Sequence, residues 1–204
     1  MITMLWRQTA TGLRVLILFT IVLGIVYPAV SYGVAHIPGL ADKAEGSIIT
    51  ARDGTPAGSS LIGIDPVAKD PAADPYFHTR PSASSENALG PADTSTSGGS
   101  NKGGFSSKLL DTINERKATI AAREGVDPSL VPPDAVTASA SGLDPDVSPE
   151  YAALQVARVA RVTGLSTAAV RKLVADATDG RILGFLGQPT VNVTELNLAV
   201  ASIR

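Results

Sequence analysis

The chain has 204 residues, 44% of them hydrophobic, no cysteine and a formal net charge of −2. Without cysteine there is no disulfide, no thiolate chemistry and no thiol-ligated zinc or iron–sulfur site. A near-neutral charge with no basic stripe argues against nucleic-acid binding.

The uncharged run from Val15 to Ala35 predicts a transmembrane helix, because about 1.5 Å per residue carries it across the roughly 30 Å of a bilayer's hydrocarbon core. Arg7 and Arg14 precede the run with no acid beside them, whereas Asp42, Lys43 and Glu45 follow it. The positive-inside rule therefore assigns residues 1–14 to the cytoplasm, 15–35 to the span and 36–204 to the outside of a single-pass cell-membrane protein. A cleaved secretory signal ending at Gly33-Val34-Ala35 is the competing reading. Against it stand the length of the run and the aromatic Tyr27 and Tyr32 near that site. Thr20, Gly24, Tyr27 and Ser31, spaced by four, three and four, share one helical face where a partner helix can approach closely. Pro28 lies in the last third of the span, where its missing N–H is expected to be absorbed by a kink or by neighbouring helices.

About 168 residues follow the span, enough for one domain with a proper core. They carry fifteen Lys and Arg against nineteen Asp and Glu, a net of −4. Ser47 to Ala51 and Ser59 to Ile64 read as a hairpin turning at Asp53-Gly54. Residues 65–104 form a Pro/Ser/Gly-rich loop region with the composition of a linker. Tyr76, Phe77 and Arg80 within it are the side chains of a docking loop. Phe105 to Glu124 predicts a helix stopped by Gly125, and Val131 to Ala138 an extended stretch before a polar loop over Ser139–Ser148. Ser148-Pro149-Glu150 starts a helix running to about Val162. Gly164 closes it, Ser166 caps a second helix to about Ala177, and Asp179-Gly180 turns the chain. Pro189 to Thr194 is β-like, and the last ten residues are helical. The fold class is an α+β exported domain on a single N-terminal transmembrane helix.

Catalytic signatures are thin. His78 is the only histidine well clear of the span, and with Ser82 and Ser84 it would have to supply a hydrolase without a nucleophile elbow; a loop or interface role suits it better. Asp144 to Ser148 opens like a calcium loop, but Pro149 and Gln155 stand where Gly and a bidentate Glu are needed. An Asp-Pro turn whose carboxylates cap the next helix is the expected alternative. Ser97 to Gly104 lacks the ending of a phosphate loop, and Asn192-Val193-Thr194 fits a glycosylation sequon. On the helix from Ser148, Tyr151, Gln155, Arg158 and Arg161 or Val162 form either a solvated stripe or, through the Arg158 fork, a tie to Asp144 or another carboxylate of the preceding loop. No catalytic and no metal-ligating residue is assigned.

Several segments, in this order, carry a resemblance: Tyr76-Phe77-His78-Thr79-Arg80-Pro81-Ser82-Ala83, Gly98-Gly99-Ser100-Asn101, Val131-Pro132 to Ser141-Gly142-Leu143-Asp144-Pro145, Gln155 with Arg158-Val159-Ala160, and Leu183-Gly184-Phe185-Leu186-Gly187 to Val191-Asn192-Val193 with Leu196-Asn197. Together they resemble KdpC, the C-subunit family of the Kdp-type potassium-pumping P-type ATPase. Ala140, Asp146, Lys102-Gly103-Gly104 and Thr194 depart from the family pattern. The resemblance implies a non-catalytic accessory subunit, whose partners are a potassium-translocating channel-like subunit, a P-type ATPase catalytic subunit and the lipid bilayer. It also implies a chaperone-like role in raising ATP affinity. ATP and potassium are then handled by the complex and no cofactor is bound directly, since an external domain reaches cytoplasmic nucleotide only through coupling across the membrane. The external residues expected to dock partners or shape loops are Tyr76, Phe77, Arg80, Asn101, Asp144, Gln155, Arg158 and Asn192. The alternative class is a tethered exported binding or hydrolase domain unrelated to transport.

Overall fold

The computed structural model describes residues 1–203, which fall into two compact units dividing after Ser47. In the first, α1 (Ile2–Ile21) passes through a π-helical turn at Val22–Val26 into α2 (Tyr27–Ala35), a helix of 34 residues that is long and apolar enough to cross a membrane. Helical order starts at Ile2, well before the apolar run. At 1.5 Å per residue the helix is about 51 Å long, more than the roughly 30 Å thickness of a bilayer's hydrocarbon core. The π turn sits one residue before Pro28, and the Tyr27 amide bonds back to the Val22 carbonyl. Proline lacks the N–H for Gly24 and its ring crowds that carbonyl, so widening the preceding turn accommodates it in place of a sharp kink. The same turn interrupts the four-three-four spacing. Thr20 and Gly24 are rotated relative to Tyr27 and Ser31 by up to one residue position, roughly 100°. A single turn, α3 (Ala41–Ala44), follows.

The second unit is the α+β domain. Its β1 (Ile48–Thr50) and β2 (Pro56–Ser59) pair antiparallel, Ile48 opposite Ser59, with a bulge between Ile49 and Thr50. The second strand thus ends at Ser59 instead of starting there, because Ser59 Oγ accepts the Leu61 amide and turns the chain. Residues 60–106 hold no strand, and their one regular element is a 3₁₀ turn at Pro71–Ala73. Next come α4 (Ser107–Glu124), capped by Ser106 and closed by left-handed Gly125, and a short α5 (Pro133–Val136) where an extended stretch was expected. Pro133 at its first position has a backbone angle preset for a helical turn and lacks an N–H that such a turn would leave unpaired.

The central sheet has the order β3 (Asp146–Val147), β5 (Thr190–Asn192), β4 (Thr178–Asp179), all antiparallel. Between these strands run α6 (Pro149–Thr163) and α7 (Thr167–Asp176), and α8 (Val193–Ile203) ends the described chain. Ser148 and Ser166 cap α6 and α7 as their positions predict, each accepting the amide three residues on. The helix cap at 148 comes from Ser148 itself, held by Asp134, and not from Asp144 or Asp146. The core joins α6 (Tyr151, Val156, Val159) to Phe77, Ile120, Val170, Val191 and Leu196, all essentially inaccessible.

Candidate functional site

The segment Asp74 to Arg80 is extended yet has no strand beside it, and a buried backbone must find partners somewhere. Side chains supply them. Asn197 on α8 accepts the Phe77 amide at 2.8 Å and donates to the Phe77 carbonyl at 2.8 Å. Gln155 on α6 does the same for His78, accepting its amide at 2.8 Å and donating to its carbonyl at 3.2 Å. Arg158, one turn further, donates from Nη1 to the carbonyls of Asp74 and Tyr76 at 2.9 and 2.8 Å. Two primary amides and a guanidinium thus replace the missing strand. The stripe of Tyr151, Gln155 and Arg158 is accordingly buried, not solvated.

Arg158 ties this backbone to Glu124 at the end of α4, with Nε at 3.0 Å from one carboxylate oxygen, and donates from Nη2 to Gln155 at 3.1 Å. The expected tie from Arg158 to Asp144 is absent, because Asp144 pairs with Arg80 at 3.0 Å. Arg123 donates to Glu124 at 2.7 Å and to the Tyr151 hydroxyl at 3.0 Å. His78 lies at the opposite side of the same cluster. Its Nδ1 is 2.8 Å from Asp65 and its Nε2 2.5 Å from Asp74, so with a carboxylate on each nitrogen the imidazolium form is favoured. Burial opposes the charge and so does Arg123, but the bonds to Asp65 and Asp74 prevail and the His78 pKa is raised. Burial likewise pushes Asp74 up, and the bond and charge of His78, the Tyr76 amide and Arg158 bring it below the ordinary carboxylate value. The side chains of this cluster balance, three acids (Asp65, Asp74, Glu124) against three bases (His78, Arg123, Arg158). His78 is therefore an internal structural histidine, neither a surface interface residue nor a base beside Ser82, whose hydroxyl pairs with Ser84.

The loop over residues 139–145 forms a second junction. The Ser139 amide bonds to the Pro81 carbonyl at 2.9 Å, Gly98 donates to Ser141 at 2.8 Å, and Gly63 donates to Leu143 at 2.8 Å. Residues 65–104 are thereby anchored at several points, unlike a free linker. A Cβ on Gly63 would lie 2.4 Å from the Asp144 carbonyl oxygen, so only glycine permits that approach. Arg80 and Asp144 meet here partly exposed, and Asp144 also accepts the Asp146 amide at 3.0 Å, the Asx turn expected of Asp-Pro. Asn192 donates to the Ser60 carbonyl at 2.8 Å and accepts the Glu195 amide at 3.1 Å, capping α8. Asn101 is exposed with φ +50°, a conformation asparagine tolerates.

Of the residues singled out from sequence, Tyr76 remains 37% exposed while Phe77 is fully buried, so Phe77 is core and not a docking contact in this chain. Asp65, Asp74, Glu124, Arg123 and Asn197 went unassigned, although Asn197 sits in a matched motif. Outside the N-terminal helix, the turn from Arg181 to Gln188 clusters several exposed apolar side chains. Ile182, Leu183 and Phe185 there are 66–80% exposed. The turn is closed by the mutual pairing of Ile182 and Leu186 and by an Arg181–Gln188 bond at 2.9 Å.

The chain thus pairs a bilayer-length apolar N-terminal helix with a small α+β domain whose motif side chains mostly hold its own loops. Residues 9–202 match the KdpC family, described as the c chain of the K+-transporting ATPase, and the chain belongs to that family. It is 48% identical over 98% of its length to the potassium-transporting ATPase KdpC subunit of Kineococcus radiotolerans, covering 96% of that relative. The KdpC subunit of Streptomyces avermitilis is 44% identical, covering 97% of this chain and 94% of the relative. That of Geobacter sulfurreducens is 43% identical, with 97% and 98% covered.

Proposed function

We propose that this chain is a non-catalytic accessory subunit of an ATP-driven potassium uptake pump. Its N-terminus lies in the cytoplasm, one helix crosses the cell membrane, and the α+β domain stands outside. There it assembles with and stabilises the potassium-translocating and P-type ATPase subunits. A chaperone-like effect on ATP affinity is then indirect, carried across the membrane by a shift between pump conformations, because the nucleotide is on the other side. The observation that carries this reading is the contrast between interior and surface. His78, Gln155 and Arg158 are committed to internal partners, whereas a closed turn presents Ile182, Leu183 and Phe185 to the outside. Exposed apolar anchors on a defined turn are features of a docking surface.

The test is affinity purification of the tagged full-length protein from native membranes under potassium starvation. The wild type is expected to bring a channel-like subunit and a P-type ATPase subunit with potassium-stimulated hydrolysis. The double variant Ile182→Ser/Phe185→Ser is expected to keep its melting temperature and lose most of that recovery. Recovery of the wild type as a lone monomer would overturn the assembly reading, and unchanged recovery of the variant would remove the turn from the interface.

A further inference from the structure

Arg116 is 7% exposed and forms no ion pair among the described residues. Its Nε donates to the Ala88 carbonyl at 2.9 Å and its Nη1 to the Val136 carbonyl at 3.2 Å, both neutral acceptors. Among the described residues Nη2 has no hydrogen-bond partner. A guanidinium taken out of water without a carboxylate is costly; burial lowers the Arg116 pKa, and only the charge of neighbouring Glu115 opposes that effect.

The side chain lines a cleft of about 520 Å³ between the 82–88 loop, the 99–102 loop and the first turns of α4. Lys102 and Lys108 line the same cleft, with the hydroxyls of Ser82, Ser100 and Thr112. Lys102 has a neutral partner, the Thr112 hydroxyl at 3.4 Å, and neither lysine is in an ion pair among the described residues. Glu86 is the one acid in the lining, leaving a surplus of two positive charges. The N-terminal end of an 18-residue helix adds the favourable end of its dipole.

We propose that this cleft binds a phosphate group, with Arg116 as the buried fork at its base and Lys102 and Lys108 closing on the remaining oxygens. Free phosphate brings about −1.5 to −2 charges at neutral pH, which matches the surplus, and a diester headgroup brings about −1, which the surplus also more than neutralises. The fixed fork of arginine suits its oxygens. The cleft falls within the roughly 300–1,000 Å³ of small-molecule sites and leaves room for a substituent, so the group is either free phosphate or the headgroup phosphate of an anionic lipid. The proposal does not depend on the assembly reading.

Lysine acetylation followed by mass spectrometry tests it on the full-length protein in a phosphate-free maltoside detergent, with exposed Lys69 as internal control. Inorganic phosphate is expected to slow acetylation of Lys102 and Lys108 about fivefold at saturation, as charge-assisted bonds occupy the ammonium groups, with no change at Lys69. Protection by inorganic phosphate supports a free source. Protection only when phosphatidylglycerol is mixed into the micelles supports a headgroup. Arg116→Gln should abolish the effect and Arg116→Lys restore part of it. Because Arg116 also braces two carbonyls, Lys102→Gln provides a second variant, in which Lys108 should lose its protection while the melting temperature stays put. Absence of protection in both arms, equal protection by chloride at matched ionic strength or by succinate, or unchanged Lys108 protection in Lys102→Gln would overturn the proposal.

Discussion

Gln155→Leu is the sharpest test of the idea that amide side chains replace a missing strand. Gln155 is fully inaccessible and makes three bonds, with the His78 amide, the His78 carbonyl and Arg158 Nη2. Leucine fills similar space but leaves a buried N–H, a buried C=O and one guanidinium donor without partners. At roughly 1–3 kcal/mol for each stranded group, and allowing some relaxation, the loss is about 3–6 kcal/mol. That is a large share of the 5–15 kcal/mol by which a domain is usually stable. Urea unfolding of the full-length protein in detergent, followed by far-ultraviolet circular dichroism, should show a midpoint lowered by about 1 M or more for a typical slope of 1–3 kcal/mol per M. Hydrogen exchange gives an independent reading, since the His78 amide should lose protection before the α6 amides. A cost below about 1 kcal/mol with the His78 amide still protected would refute the reasoning.

Two further outcomes follow from the same geometry. The raised pKa of His78 means that its contribution to stability is fully present below its ordinary value of 6.5 and is lost as pH rises through the folded value above it. Asp74 is depressed, so its contribution is present above its ordinary 3.8 and is lost as pH falls through the folded value below that. The melting temperature should therefore be highest between these limits and fall on the alkaline side. In His78→Gln that alkaline limb should flatten, and an unchanged limb would show that another group titrates there. Gly63→Ala places a Cβ 2.4 Å from a backbone carbonyl of the 139–145 junction. It should cost about 2 kcal/mol or more by thermal melting, whereas Gly103→Ala, with open space around it, should cost little.

The longer helices of the domain and their caps were legible in the sequence because their signals are local. Ser106, Ser148 and Ser166 cap from their own positions, and Gly125 and Gly164 adopt the left-handed stop that glycine alone adopts without strain. The long apolar N-terminal helix was legible for the same reason, since apolarity over a bilayer's length is a property of consecutive residues. Tertiary structure alone decided where the polar motif residues spend their hydrogen bonds. Periodicity places Gln155 and Arg158 on one face of α6, but whether that face meets water or a strand-like segment about 80 residues earlier depends on chain pairing that no local pattern encodes. The choice of Arg80 over Arg158 as partner to Asp144, and the enclosure of His78 by Asp65 and Asp74, are likewise set by that segment. A buried backbone must be satisfied by whatever side chains surround it, and only the packed fold determines which ones those are.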